Sequence, residues 1–273
     1  MVSKKPLEWI KPTKDEQSEG ALMLLLSDLH RGMKSDNHWN TFNEVVFEER
    51  LNKVIQDTVK YQEITNTKEL HVMGLGDYLE GNLHRLTKIG ETETAVEQTQ
   101  RVAEELSEML SYFSSKFEKV YFYSVKGNHD RVSSRKEEEI KTESFHEFIP
   151  WYIEARLEGH KNINIMKNEY DSEIIVADIL GNTYFGVHGH LDSRPSMVQN
   201  LTLMIKRIPT AVVSGHIHKN FEDEIHGVDL IVNGGFAGVN DYAKDRRLTG
   251  KSHQKLLWLD ENGRKATFYL QLD

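Results

Sequence analysis

Five short apolar runs, each ending abruptly in Asp, Asn or His, constrain this 273-residue chain more than any other feature. They are Leu24-Leu25-Leu26-Ser27-Asp28-Leu29-His30, Met73-Gly74-Leu75-Gly76-Asp77, Val120 to Val125 followed by Lys126-Gly127-Asn128-His129-Asp130-Arg131, Phe185-Gly186-Val187-His188-Gly189-His190, and Val212-Val213-Ser214-Gly215-His216-Ile217-His218. A buried strand that stops and hands over to a polar loop is how an α/β protein presents chemistry. A single Asp or His in such a place is more often a cap or a satisfied loop residue. Five such tips reverse that expectation if they meet at one site.

The order of elements favours such a meeting. Ala21 to Leu26 reads as a strand buried on both faces. Ser27 to Asn40 follows as a polar loop, and Thr41 to Tyr61 as a helix with Phe42, Val45, Val46, Leu51, Val54, Ile55 and Val59 on its apolar stripe. Glu69 to Leu75 is a second strand and Gly81 to Gly90 a loop. Thr92 to Phe117 gives the clearest helical spacing, and Lys119 to Val125 a third strand. This β-α-β-α-β order implies parallel strands with right-handed crossovers. Ser133 to Lys141 is a charged, solvated run. Glu143 to Leu157 reads as a helix in which Pro150 is a kink risk. From Ile163 the character turns to strands: Ile163 to Met166, Glu173 to Leu180, Thr183 to His188, Thr210 to Ser214, Phe221 to Ile225, Leu230 to Asn233, Gln254 to Leu259 and Ala266 to Leu272. A Gly181-Asn182 turn joins the second and third of these, and Glu261-Asn262-Gly263 the last two. An amphipathic helix, Ser196 to Ile208, lies between. With no repeat and no clean linker, a β-sandwich flanked by helices accounts for the pattern as one catalytic domain over 21–273. Residues 1–20 precede it as an arm, anchored by Trp9 and Ile10.

The bulk properties exclude several classes. The net charge of -9 argues against a protein that coats nucleic acid with a broad basic surface. It suits a carboxylate site for divalent cations, although a soluble acidic surface accounts for most of it. The absence of cysteine removes disulfides and thiolate metal sites, which fits a cytoplasmic location. No apolar run approaches the roughly 20 residues that span a bilayer, and Met1 to Gly20 lacks the apolar core of a signal peptide.

The tip residues Asp28, His30, Asp77, Asn128, His129, His188, His216 and His218 can each ligate a metal or move a proton. His190 is an alternative to His188. Oxygen and imidazole donors without sulfur suit Mn²⁺, Fe²⁺, Zn²⁺ or Mg²⁺. Two metals about 3.5–4 Å apart need a bridging ligand, and a carboxylate, here Asp77, serves best. Such a pair clamps a phosphate and makes hydroxide available, while a neighbouring imidazole protonates the leaving oxygen.

Asp-x-His, Gly-Asp, Gly-Asn-His-Asp, a lone His after a strand and Gly-His-x-His, in this order from Asp28 to His218, resemble the calcineurin-like metallophosphoesterase superfamily. The resemblance implies an α/β fold, the four-layered α/β/β/α sandwich, with two divalent metal ions, Mn²⁺ foremost, at the strand tips. Asp28, His30 and His218 would hold one metal, Asp77 would bridge, and Asn128, His188 and His216 would hold the other. His129 would serve as general acid or transition-state stabiliser, with Glu80 orienting it where related phosphatases place Asp. Arg31 and Arg131 flank the tips and are candidates for phosphate contact, with salt bridges an equal alternative.

Gly215-His216-Ile217-His218-Lys219 resembles the Mre11/SbcD nucleases. The His of Gly-Asn-His-Asp separates the chain from UDP-diacylglucosamine hydrolases, which usually carry Arg there. Asn233 to Gly238 with Asp241-Tyr242-Ala243 and Gln254 resembles phage-encoded members described as DNA repair exonucleases, which would act in the host cytoplasm. Mre11-type nucleases carry a further DNA-capping domain, and this chain ends soon after the sandwich closes, so a small or single-stranded substrate is favoured. The resemblance thus implies a phosphodiesterase acting on DNA or a nucleotide, with an SbcC/Rad50-like ATPase as partner. A small-molecule phosphodiesterase or phosphatase, for example on cyclic nucleotides, is the alternative. A non-catalytic scaffold or polymerase accessory subunit ranks lowest, since no ligand has been lost. The helix at Thr92–Phe117 or the early helix offers a face for a homodimer.

Overall fold

The structure is a computed structural model that describes residues 7–11, 20–82 and 93–273. In chain order the elements are β1 (Ala21–Leu26), β2 (Ser35–Asn37), β3 (Asn40–Phe42), α1 (Glu44–Thr65), β4 (Glu69–Gly74), α2 (Ala95–Lys116), β5 (Lys119–Ser124), α3 (Phe148–Arg156), β6 (Ile163–Ile165), β7 (Ile175–Ile179), β8 (Asn182–Val187), α4 (Arg194–Ile205), β9 (Ala211–Ser214), β10 (Phe221–Ile225), β11 (Val228–Val232), α5 (Asp241–Asp245), β12 (His253–Asp260) and β13 (Gly263–Gln271). Single 3₁₀ turns occupy Lys136–Glu138 and Phe145–Glu147.

All six residues of β1 are buried because each face meets a different core. Leu22, Leu24 and Leu26 point to the helices, with Leu51, Val54, Leu106 and Leu110. Ala21, Met23 and Leu25 point to the second sheet, with Tyr184, Val213 and Ile231. Burying one such leucine stabilises the fold by roughly 1.5–3 kcal/mol. A third core joins the outer face of that sheet to α4 through Phe185, Val212 and Leu201. The layers are therefore α/β/β/α, with α1, α2 and α3 on one side and α4 on the other.

The first sheet runs β13-β12-β1-β4-β5-β6 and the second β10-β11-β9-β8-β7. β1, β4, β5 and β6 are parallel, as are β8, β9 and β11. Parallel strands end on the same side, so all the polar tips emerge at one edge of the sandwich. No described helix is long and apolar enough to cross a membrane.

Several boundaries differ from the sequence expectation for local reasons. The supposed loop 27–40 contains β2, which pairs with β3. Phe42 thus belongs to a strand, and α1 starts after Asn43, whose side chain accepts from Val46 N. Val45 is consequently exposed. Helix α2 begins after Thr94, which forms a capping box with Glu97, while Thr92 lies outside the described residues. So does most of the expected loop Gly81 to Gly90. Pro150 sits in the first turn of α3, where no intrahelical N–H is needed, so it causes no kink. The turn between β7 and β8 centres on Leu180 and Gly181, both at positive φ, one residue earlier than expected. In the arm, Trp9 Nε1 donates to Asn162 Oδ1 at 2.8 Å, but Ile10 is exposed rather than an anchor.

The two sheets are clamped beside the polar edge by Asn233, just past β11. Its Nδ2 donates to Leu25 O, Ser27 Oγ and Gln254 Oε1, and its Oδ1 accepts from Lys255 N, all within 3.1 Å. The side chain is fully buried, so truncation strands several groups without water. Asn233→Ala should lower unfolding free energy by about 2–3 kcal/mol in denaturant titration. A loss below 0.5 kcal/mol would show that the clamp is dispensable.

Candidate metal centre

The tips converge. Carboxylate and imidazole atoms of Asp28, His30, Asp77 and His218 lie within 4.8 Å of one another, and so do those of Asp77, His188 and His216. Asp77 belongs to both groups. His30 Nε2 faces His218 Nε2 at 3.2 Å, and His218 Nε2 approaches Asp28 Oδ1 at 3.2 Å. His188 Nε2 lies 3.2 Å from both Asp77 Oδ2 and Asn128 Oδ1. These side chains crowd into two small groups that share Asp77. The fit to cations lies in that donor set: carboxylate oxygens, an amide oxygen and imidazole nitrogens, grouped about one shared carboxylate.

The backbone is bent to achieve this. Asp28, His30, Asp77, His216 and His218 all adopt positive φ, at roughly 1–2 kcal/mol for each non-glycine residue. Such strain persists where the surroundings over-determine it, and here they do. The buried Asp130 carboxylate accepts from Gly127 N (2.7 Å), Asp77 N (3.0 Å), Tyr78 N (2.9 Å) and Leu79 N (3.4 Å). It thereby joins the loops after β4 and β5. The loops touch so closely that a Cβ at Gly127 would meet Asp77 Oδ1 at 2.1 Å, and one at Gly76 would meet Gly127 N at 2.6 Å. Across the sheets, Asp28 accepts from Ser27 Oγ at 2.7 Å and from His216 N at 3.1 Å.

The family model of the calcineurin-like phosphoesterases matches residues 22–235. The chain belongs to the calcineurin-like phosphoesterase family. The SPbeta prophage-derived uncharacterized protein YonJ of Bacillus subtilis (strain 168) is 23% identical over 266 residues. That alignment covers 93% of this chain and 64% of YonJ, so the chain spans a little under two thirds of its relative's length. A solved archaeal phosphodiesterase is 13% identical with a TM-score of 0.45, covering 91% of this chain and 99% of that one. Vps29 complexed with Zn²⁺ from Entamoeba histolytica is 13% identical with a TM-score of 0.40, covering 92% and 99%.

Within this calcineurin-like phosphoesterase, electrostatics keep the two central carboxylates ionised while shifting the imidazoles in opposite directions. Burial alone would raise the Asp77 carboxyl, but the imidazoles of His188, His129 and His30 hold it well below the usual range. Asp28 is likewise lowered, burial being outweighed chiefly by His218. His216 is pushed down to about 4 by burial and by the His188 charge. His188 itself, despite burial, is lifted to about 9 by Asp77. Its Nδ1 donates to Leu75 O at 2.7 Å, which leaves Nε2 to face the centre.

Other sequence candidates are placed differently. Arg31 is not available to a phosphate: it is buried, with NH1 on Glu93 and Nε on Glu105. Arg131 donates to Ser133 O and Ser134 O and caps its own loop. Glu80 does not orient His129 through its carboxylate, which lies 3.1 Å from His30 Nδ1 and 3.9 Å from His129 Nδ1. The Glu80 backbone carbonyl accepts from His129 Nδ1 instead, at 2.8 Å. His190 stands beside His188 and His216, with ring centroids 5.3 and 6.2 Å away, outside both donor groups. Sequence reasoning passed over Ser27 as a support of Asp28, although its place next to the tip was a signal. It also passed over Lys126, whose buried Nζ donates to Lys141 O at 2.7 Å and meets Glu173 at 3.1 Å, tying the charged run to the β5 tip.

Two outcomes follow for metal binding. By elemental analysis, His188→Ala should lose one metal equivalent and His190→Ala none; the reverse would reassign the pair. Below pH about 9 the metal-free His188 carries a proton that a metal must expel. Apparent affinity should therefore fall as pH drops, by up to roughly tenfold per unit, with proton release in calorimetry at pH 7–8. Binding without proton release would contradict this.

Proposed function

We propose that this phosphoesterase is a two-metal phosphodiesterase that hydrolyses DNA, in the manner of Mre11/SbcD-type nucleases. The carrying observation is a set of seven donors, Asp77 and six grouped about it, with His129 beside them. Asp28, His30 and His218 would hold one cation, Asn128, His188 and His216 the other, with Asp77 shared. Mn²⁺ is the first choice for this donor set. When bound, the two cations would polarise the phosphate and lower the pKa of a water.

The residues of the chain divide the remaining work. His129 packs edge-on against His30, with ring centroids 4.5 Å apart. Its Nδ1 donates to the Glu80 carbonyl, which leaves Nε2 as the nitrogen that can exchange a proton with the substrate. As the water oxygen, its proton released to solvent, bonds to phosphorus and the phosphorus–oxygen ester bond breaks, Nε2 of the protonated imidazole would give its proton to the departing oxygen and regain one from solvent afterwards. The Glu80 carboxylate, against His30 Nδ1, would orient that imidazole toward its cation. The net charge of -9 favours a short or single-stranded substrate over broad duplex contact.

The test is hydrolysis by Mn²⁺-loaded protein of single-stranded DNA, double-stranded DNA and bis-p-nitrophenyl phosphate. Release of nucleotides from DNA is expected. Cleavage of the small ester with both DNAs left intact would replace the nuclease reading with a small-molecule phosphodiesterase. His129→Ala should retain both metals and lose roughly 10²–10⁴-fold in kcat. Loss of metal from that variant would make His129 a ligand instead.

A further inference from the structure

One cavity beside the metal centre has no role in this scheme. Its volume is about 260 Å³, and its walls include His190, Asp192, Arg194, Met197, His216 and Ile217. It lies at the His216 end of the cluster, whereas His129 packs on His30. A site of this size falls below the roughly 300–1,000 Å³ of drug-sized pockets. It suits one ring system attached to the phosphate, and not a duplex.

The lining is polar in a particular way. Asp192 and Arg194 are two positions apart, yet they form no ion pair with each other. Among the described residues the Asp192 carboxylate has no hydrogen-bond partner, and Arg194 holds only a cation–π contact, 5.1 Å over the Phe221 ring. His190 Nδ1 is buried and has no hydrogen-bond partner among the described residues. Met197, anchored in the core under α4, and Ile217 supply apolar surface for a ring face. A carboxylate, a guanidinium and an orphaned imidazole nitrogen around one small apolar-walled space form an unfilled recognition set.

We infer that this cavity receives the base of the nucleotide attached to the scissile phosphate, and that Asp192 selects guanine. The inference rests on the phosphodiesterase reading. An ionised carboxylate only accepts hydrogen bonds. Guanine presents two adjacent N–H donors on its Watson–Crick edge, which match the two carboxylate oxygens in a bidentate, charge-assisted pair. Thymine presents one N–H flanked by two carbonyls, which the carboxylate repels. Arg194, at the cavity wall and donor-only, takes the next phosphate along the strand. Reading an extruded base by its Watson–Crick edge against apolar side chains is a general solution for enzymes that act on single nucleotides.

The experiment compares the p-nitrophenyl esters of deoxyguanosine and thymidine 5′-monophosphate on the Mn²⁺-loaded full chain. The guanine ester should show kcat/KM about tenfold or more above the thymine ester. Asp192→Asn should bring the ratio to near one, while Arg194→Ala, whose assigned contact is the next phosphate, should leave the ratio in place. Equal turnover of the two esters by wild-type protein, or an undiminished ratio in Asp192→Asn, overturns the inference. Bis-p-nitrophenyl phosphate, which has no base, reports the phosphoesterase reading separately. If that ester is untouched, calorimetric binding of dGMP and TMP to the loaded protein still decides the cavity. Tighter dGMP binding that Asp192→Asn abolishes supports it, and equal Kd values refute it.

Discussion

The carboxylate of Asp130 binds no candidate cation, yet the centre depends on it. Four backbone N–H groups from two loops, at Gly127 and at Asp77, Tyr78 and Leu79, converge on its two oxygens. Burial and the nearby Asp77 charge lift its carboxyl to about 6, against the pull of those N–H groups. Charge-assisted hydrogen bonds of this kind are strong where water is excluded. They bring the loop after β4 against the loop after β5 until only glycine fits at Gly76 and Gly127. Asp77, Asn128 and His129 inherit their positions from that contact. His129 N donating to Asp77 Oδ1 at 2.8 Å closes it from the other side.

The other half of the centre arrives from the second sheet. The core between the sheets interleaves small side chains such as Ala21, Ala177 and Ala211 with the larger Met23, Tyr123 and Tyr184. That core holds the two parallel strand sets face to face, and their C-terminal edges meet where Asn233 reaches Leu25 O and His216 N reaches Asp28. Asn233 and Gln254 stitch that edge together, and Ser27 carries the connection to Asp28. The positive φ at five tip residues is strain held by this frame. The other non-glycine residues with positive φ include the helix C-caps Asn66 and Lys206 and the hairpin positions Leu180 and His226. There the left-handed conformation ends a helix or turns a hairpin, whereas at the tips it aims side chains.

Much of this was legible in the order of residues. The continuous apolar run Ala21–Leu26 could only be a strand covered on both faces, and the three- and four-residue spacing of Val102, Leu106, Met109 and Phe113 could only be a helix against it. The donors were legible because polar residues at the ends of buried strands need a reason. Boundaries were less so: β2 and β3 are three residues each, too short for a period, and a proline at helix position three reads as a breaker until the start of α3 is known. The partners of charged side chains were least legible. Arg31 follows a candidate ligand and resembles a phosphate contact, but Glu93 and Glu105, more than sixty positions later, claim it. Glu80 lies in a position to support His129, yet its carboxylate turns to His30 and its carbonyl does the supporting.

The sequence by itself determined the class of fold, the five tips and the kind of donor each offers. These follow from local rules: periodicity sets the element, and side-chain chemistry sets what it can ligate. Only the tertiary structure decided which donors share a space, that His188 and not His190 faces Asp77, and that Asp192 and Arg194 line one small cavity without pairing with each other. The physical reason is that such facts depend on distances between strands of different sheets. Those distances are set by how three cores pack and how one buried carboxylate draws two loops together, and neither is written in any single stretch of chain.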